Sequence, residues 1–354
     1  MARSERVGWI EHARALGACA VALLHVLVST QSATEMSATH VLVYDLVNIT
    51  FCRWAVPAFF MITGMLLLDP GRTLGWDRAW RYARRMLVVL ATFGLAFACM
   101  QEVWTRRAEG VPITWEVLPA SVVDVLTMNT WTHLWYVYAL LGVYLVLPLL
   151  HKAWTWREGR GATLLTACLV TLGLVLPTAN GCCEILGLPH VAIPEHGLLT
   201  YVGYLLSALA NVCVGGFLRT RLHRVWPAVV GGLCLATMLG VESWAHLTGA
   251  VGWWFLSLHT SVLPCGYAMA VLMLLKRVFG DEPVRQGSLV ERLAQDSFGV
   301  YVIHPLFIHV GLMLIPPTLM VPVVYELSFA LVAVVLSALV TRVLRLLPVF
   351  RGVL

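Results

Sequence analysis

Arg14, His25, Arg53, His133 and His304 stand in stretches otherwise apolar enough to cross a bilayer. An ionisable group inside the hydrocarbon core is costly, so each needs a partner, a wet cavity or a ligand. Arg14 and His25 are eleven residues apart in the run from Ile10 to Ser29. On a helix that spacing returns to within ~20° of the same face after a rise of ~16 Å. One face of the first helix thus presents a permanent cation near one surface and a titratable imidazole about half a bilayer deeper. Arg14 is shallow enough to snorkel to lipid phosphates. The competing reading is a phosphate-binding cation reachable from the cytoplasm, and the shared face with His25 favours the wall of a site.

The second apolar stretch contains RWAVPAFFMITG. Arg53 lies too deep to reach the inner surface. Pro57 frees a backbone carbonyl, which is tolerated mainly where polar neighbours or water satisfy it. Antiparallel pairing of the first two spans would bring Arg53 to a depth not far from that of His25. Further on, His133 adjoins Trp135 and Tyr136, a combination that suits a sugar face, whereas Trp131 and Tyr138 fit an interfacial aromatic belt. His304 precedes Pro305 in SFGVYVIHP, and His309, five residues on, points elsewhere. The basic run Arg72 to Arg85 marks an inner loop; its Arg81, Arg84 and Arg85 could also contact the phosphates of a nucleotide-bearing cofactor.

The elements that position these groups follow from composition. Of 354 residues 59% are hydrophobic and 12% charged, with mean hydropathy +0.81, against about 25% charged in soluble domains. This predicts an all-α, polytopic helical bundle forming one membrane domain over 1–354. Ten spans are expected, at 9–29, 45–68, 86–104, 131–150, 162–179, 198–218, 225–247, 251–275, 297–315 and 322–347. The net charge of +5 marks loops and gives no reason to expect nucleic acid. No cleavable signal peptide is apparent. Seven of the nine cysteines fall in expected spans and Cys182 and Cys183 are loop neighbours, so neither a disulfide framework nor a metal-ligand spacing is visible.

Orientation follows from Lys and Arg. One set of connections holds Arg3 and Arg6, Arg72 to Arg85, Lys152 to Arg160, Arg219 to Arg224, Lys276 to Arg292 and Arg342 to Arg351, while the other holds only Arg106 and Arg107. Both termini are therefore expected in the cytoplasm, with the chain as a multi-pass protein of the cell membrane. The outer connection 105–130 could carry a short interfacial helix, and the connection 180–197, rich in Gly and Pro, carries Glu184, His190, Glu195 and His196. No inverted internal repeat is apparent.

Arg14 and His25 with ten residues between them, Arg53-x-x-x-Pro57-x-Phe59-Phe60-x-x-x-Gly64, HLWYVYALLGVYLVLP and SFGVYVIHP together resemble, in order from about residue 9 to 310, the acyltransferase-3 family. These are integral-membrane enzymes that acylate surface glycans, antibiotics and other extracytoplasmic acceptors. Glu11 stands where Asp is frequent and Thr63 where Ser commonly precedes the Gly; both keep the chemistry. The size, without an appended soluble domain, is similar to that of the family's surface-polysaccharide O-acetyltransferases. The resemblance implies acyl-CoA, most simply acetyl-CoA, as cytoplasmic co-substrate, no tightly bound cofactor, no metal, and a glycan or lipid-linked sugar as acceptor. It implies His25 as general base, or as a nucleophile carrying the acyl group. Arg53 would be an electrostatic stabiliser or organise the acceptor site, and Arg14 with Glu11 would form the donor-facing end. His133, Trp135, Tyr301 and His304 are acceptor-site candidates. A transporter or glycan flippase would also use intramembrane charges, kinked helices and a central cavity, and a scaffold subunit would tolerate substitution at Arg14, His25 and Arg53 together.

Overall fold

The computed structural model describes residues 7–72, 74–192, 198–317 and 324–354. Arg3, Arg6, Glu195 and His196, and the first two residues of the expected tenth span, lie outside the described residues. Among the described residues no strand occurs. The helices are α1 (Gly8–Ala33), α2 (Ala38–Phe51), α3 (Ala55–Leu67), α4 (Trp76–Val89), α5 (Leu95–Glu109), α6 (Val117–Leu126), α7 (Trp135–Trp154), α8 (Arg160–Val170), α9 (Leu176–Ile185), α10 (Leu198–Leu218), α11 (Trp226–Thr248), α12 (Val262–Phe279), α13 (Leu289–Leu314) and α14 (Val324–Leu344). Single π-helical turns at Leu90–Gly94 and Thr171–Val175 join α4 to α5 and α8 to α9.

With α2–α3, α4–α5 and α8–α9 counted as continuous rods, ten described helical stretches are long and apolar enough to cross a membrane. They overlap all ten expected spans. Their outer faces carry exposed Leu and Val, such as Leu164, Leu233 and Leu331, the pattern for helices whose solvent is lipid.

Three local features depart from the sequence expectation. The third span begins at Trp76 rather than near 86, so Arg78, Arg81, Arg84 and Arg85 are on helix α4 and not in a loop. The charged first turns project beyond the apolar section, and hydropathy cannot register them. The second span is broken at Cys52–Trp54: Cys52 and Arg53 both donate their N–H to the Asn48 carbonyl, and Pro57 falls in the first turn of α3, where the missing N–H costs least. In the connection 180–197, residues as far as Ile185 extend α9. The short helix expected within 105–130 is α6.

Helix α1 is the central rod and packs against α2, α3, α12, α13 and α14. Its first N–H groups, which no helix satisfies internally, are met from across the fold: Gly8 donates to the Asp281 carbonyl (3.3 Å) and Trp9 to that of Gly280 (3.0 Å). This docking fixes the height of everything further along α1. Helix α3 lies closely against α10, and a Cβ at Gly64 or Gly215 would overlap the Val212 or Met61 carbonyl. The Gly64 of the sequence motif is thus an interhelical contact of the small-residue type.

Candidate active site

Two compartments lie along α1. The first is a cavity of about 310 Å³ lined by Arg14 with Thr63 and Leu66 of α3, Tyr82 and Arg85 of α4, Tyr136 and Tyr144 of α7, and Gln295, Ser297 and Tyr301 of α13, among others. Its wall mixes apolar surface with a few hydrogen-bonding groups and two guanidiniums. Asp296, between Gln295 and Ser297, is 2% exposed and bonded to Arg342 (2.7 Å) and Arg345 (2.5 Å) of the last spanning helix and the segment after it. That clamp holds the α13 wall of the cavity in place.

The second compartment is a cluster of imidazoles. His25 lies with its ring centroid 5.1 Å from that of His304 and 6.3 Å from that of His133, and His133 and His304 are 6.1 Å apart. His133 and His304 are 4% and 1% exposed, while His25 is half-buried. Backbone carbonyls assign the tautomers of the two buried rings. His304 Nδ1 meets the Val300 carbonyl at 2.9 Å, so that nitrogen is the N–H donor. Its Nε2, buried and without a partner, keeps a lone pair. His133 Nε2 likewise donates to the Val302 carbonyl at 3.2 Å, which leaves its Nδ1 as the acceptor nitrogen.

Tyr301 belongs to both compartments. Its ring lines the Arg14 cavity and lies 6.0 Å from His133 and 6.2 Å from His304, while its hydroxyl donates to the His133 carbonyl. Tyr136 lies beside it, tilted by 56°, with ring centroids 4.9 Å apart. The shared face expected for Arg14 and His25 is therefore divided. Arg14 lines the cavity together with Tyr136 and Tyr301, and His25 does not.

Arg53 occupies the break between α2 and α3. It is in electrostatic range of His25 and His259, and of Asp45 and Glu242, and its Nε is buried without a partner. Trp135 stacks on His259 (3.7 Å, 12°). Of the three arginines expected at a donor's phosphates, only Arg85 lines the Arg14 cavity; Arg81 and Arg84 are exposed and do not. Glu11 is 7% exposed on the docked first turn of α1 and does not line it either. His309 stacks on Trp104 at 4.1 Å, away from His25.

The sequence reading passed over His259, the cavity tyrosines Tyr82 and Tyr144, and the Asp45, Glu242 and His246 group. Asp45 and Glu242 both fall within expected spans, and a carboxylate there was the available signal. These three bring ligand atoms within 4.8 Å of one another, with His246 3.2 Å from Asp45 and 3.6 Å from Glu242. Arg53 supplies a protein cation near both carboxylates, so the group is a charge network and not an argument for a metal.

A family model described as an acyltransferase domain, that of acyltransferase-3, matches residues 7–342. The chain belongs to this family. No curated protein and no solved structure gives a significant match. The acyltransferase match runs from the docked start of α1 through Arg342 in α14, so it takes in the imidazole cluster and all of the Arg14 cavity lining except Val353 and Leu354.

Proposed function

We propose that this acyltransferase moves an acyl group, most simply acetyl, from cytoplasmic acyl-CoA to a hydroxyl of an extracytoplasmic or lipid-linked glycan, in the cytoplasmic membrane with both termini inside. The observation that carries this reading is Tyr301. It touches at once a cavity with cationic and amide-bonding walls and a dry cluster of imidazoles, the two environments that a thioester and an alcohol need. In this reading the acyl-pantetheine arm occupies the Arg14 cavity, with Arg85 at its mouth and Arg81 and Arg84 on the exposed side of the same helix. The acceptor approaches from the opposite side, past Trp135 and His259.

His25 takes the hydroxyl proton, and the oxygen attacks the thioester carbonyl. The C–S bond breaks, the thiolate departs, and the proton on His25 goes to it, giving ester and free thiol. Arg53 faces the developing negative charge. His133 and His304, each held by a backbone carbonyl, fix the surroundings of His25 in a water-poor setting, where such charges count for more than in water. The test is mass analysis of envelope glycans and lipids from cells lacking the gene and complemented with wild type or His25→Ala. Only wild type should restore an acetyl mass increment. An undiminished increment with His25→Ala, in protein inserted at the normal level, removes His25 from the mechanism.

A further inference from the structure

The chain after α14 folds back to the Arg14 cavity. Helix α14 ends at Leu344, and Pro348, which has no N–H to donate, turns the chain away from the helix axis. The Phe350 N–H donates to the Leu347 carbonyl at 3.1 Å, closing a turn with Pro348 at the position such turns favour. Val353 and Leu354 then donate back to the Phe350 carbonyl at 3.0 and 3.2 Å. These turns bring Val353 and Leu354 into the cavity wall, with Arg14, Arg85 and Gln295. The family match ends at residue 342, so this segment lies beyond what the match describes.

Two side chains tie the segment to the cavity walls. Arg345 spreads its guanidinium over three acceptors: Nη1 donates to the Asp296 carboxylate (2.5 Å), Nη2 to the Gln295 carbonyl (2.7 Å) and Nε to the main-chain oxygen of Leu354 (3.0 Å). The first two acceptors belong to α13 and the third to the far end of the segment itself. Phe350, half-buried, has its ring centroid 5.7 Å from that of Phe93, in the π-helical turn between α4 and α5. The segment therefore reaches from α13 to the α4–α5 rod, the elements that give Gln295 and Arg85 to the cavity. Between these ties Leu346, Leu347 and Val349 are exposed. The main-chain bonds of 350–354 are local, so lifting the segment unwinds no helix. Nor does it strand a buried carboxylate, which would be costly: Asp296 keeps Arg342 at 2.7 Å on its other oxygen.

We propose that residues 345–354 form a strap across the mouth of the Arg14 cavity, latched by Arg345 as a positioning residue, and that the strap lifts whenever a donor enters or its thiol product leaves. The inference rests on the acyl-CoA reading above. With the strap down the cavity measures about 310 Å³. A nucleotide-bearing thioester is too large to be enclosed there whole, so its narrow arm has to pass the mouth. Gln295 and Asp296 lie in the second turn of α13, on the side of the bundle where α1 and α4 also begin. That is the side from which the donor arrives in this reading. The lowered strap turns two aliphatic side chains to the arm, while its one guanidinium holds both ends of the segment and the α13 wall together.

The experiment measures association and dissociation rates of CoA with the full-length protein in phosphatidylcholine nanodiscs, alongside hydrogen exchange of peptides within 346–354. Arg345→Gln should raise both rate constants about tenfold, the worth of one charge-assisted bond, and leave Kd within about twofold of wild type. It should also speed exchange of those peptides in the free protein. Phe350→Ala should act in the same direction by less, and it decides the question by the same rates if Arg345→Gln does not insert. Arg342→Gln, which takes a bond from Asp296 without touching the strap, should accelerate neither rate. Unchanged rates, or a weaker Kd with unchanged association, make the segment a fixed wall; acceleration by Arg342→Gln places the effect in α13. Each of these results overturns the proposal and leaves the donor reading intact. Absence of CoA binding in wild type and in both strap variants overturns the donor reading and this inference with it.

Discussion

The two compartments on α1 are built on opposite plans. Around Arg14 the wall is drawn from four other helices, carries hydroxyl, amide and guanidinium groups, and encloses a cavity of about 310 Å³. Around His25 the partners are rings, two of them almost fully buried and each tied to a backbone carbonyl. A binding slot has to accept a long ligand and release it, so it keeps space and multiple weak partners. A proton-transfer site gains from fixed dipoles and from the absence of water, so it gives up space. One helix carries a residue of each kind of site, and Tyr301 is the ring that lines the slot and also reaches the imidazole cluster.

Substitutions can break that division. The largest effect is expected at His25: its replacement by Ala should lower kcat by about 10²–10⁴-fold, the usual worth of a positioned acid–base group. The donor KM should stay near the wild-type value. Arg14→Ala should do the reverse, raising the donor KM about tenfold or more, as for loss of a charge-assisted contact, with little change in acceptor KM. Steady-state kinetics with both substrates varied decides this pair, and a pure acceptor defect in Arg14→Ala would contradict the assignment of the cavity to the donor.

Tyr301→Phe sharpens the comparison, since it keeps the ring that reaches both sites and removes only the bond to the His133 carbonyl. A buried hydrogen bond contributes about 1 kcal/mol, so kcat should fall about fivefold with both KM values unchanged. A rise in donor hydrolysis without acceptor would instead show that the hydroxyl keeps water from the thioester.

The smallest effect is expected at the Asp69 turn, just after α3. The Arg219 bond holds the Asp69 carboxyl below its ordinary value of 3.8, with the Gly71 N–H adding to the effect against a partial desolvation. A group whose folded pKa is depressed contributes stability above its unfolded value and loses it as pH falls through the folded one. Asp69→Asn should therefore lower the melting temperature slightly at pH 7, and the difference from wild type should shrink as pH falls below 3.8 and on through the lowered folded value, where the carboxyl loses its charge. The pair is partly exposed, so screening keeps the effect small. A difference that persists at low pH would mean the turn, and not the charge, is responsible.

Much of this was legible in the chain. Each span is a local property, because hydropathy over some twenty residues and the 3.6-residue period do not depend on neighbours. The choice of Arg14, His25, Arg53, His133 and His304 was legible for the same reason: a polar group in an apolar segment is conspicuous wherever it lands. Arg81 and Arg84 show where locality stops. They share a basic run with Arg85, yet helix α4 turns Arg85 toward the cavity, with Tyr82 and Met86, and leaves Arg81 and Arg84 outside it.

What tertiary structure alone decided is which distant residues meet. His25, His133 and His304 come from α1, from the turn before α7 and from α13, separated by more than a hundred residues at each step. Asp45 and Glu242 are comparably remote. The sequence determined that these groups are buried in a membrane bundle and therefore need partners. Only the packing of helices against α1, set by close approaches such as Gly64 on α10 and by the docking of Gly8 and Trp9, determined which partners they have. Helix–helix registry depends on side chains from both sides at once, and no single stretch of chain contains that information.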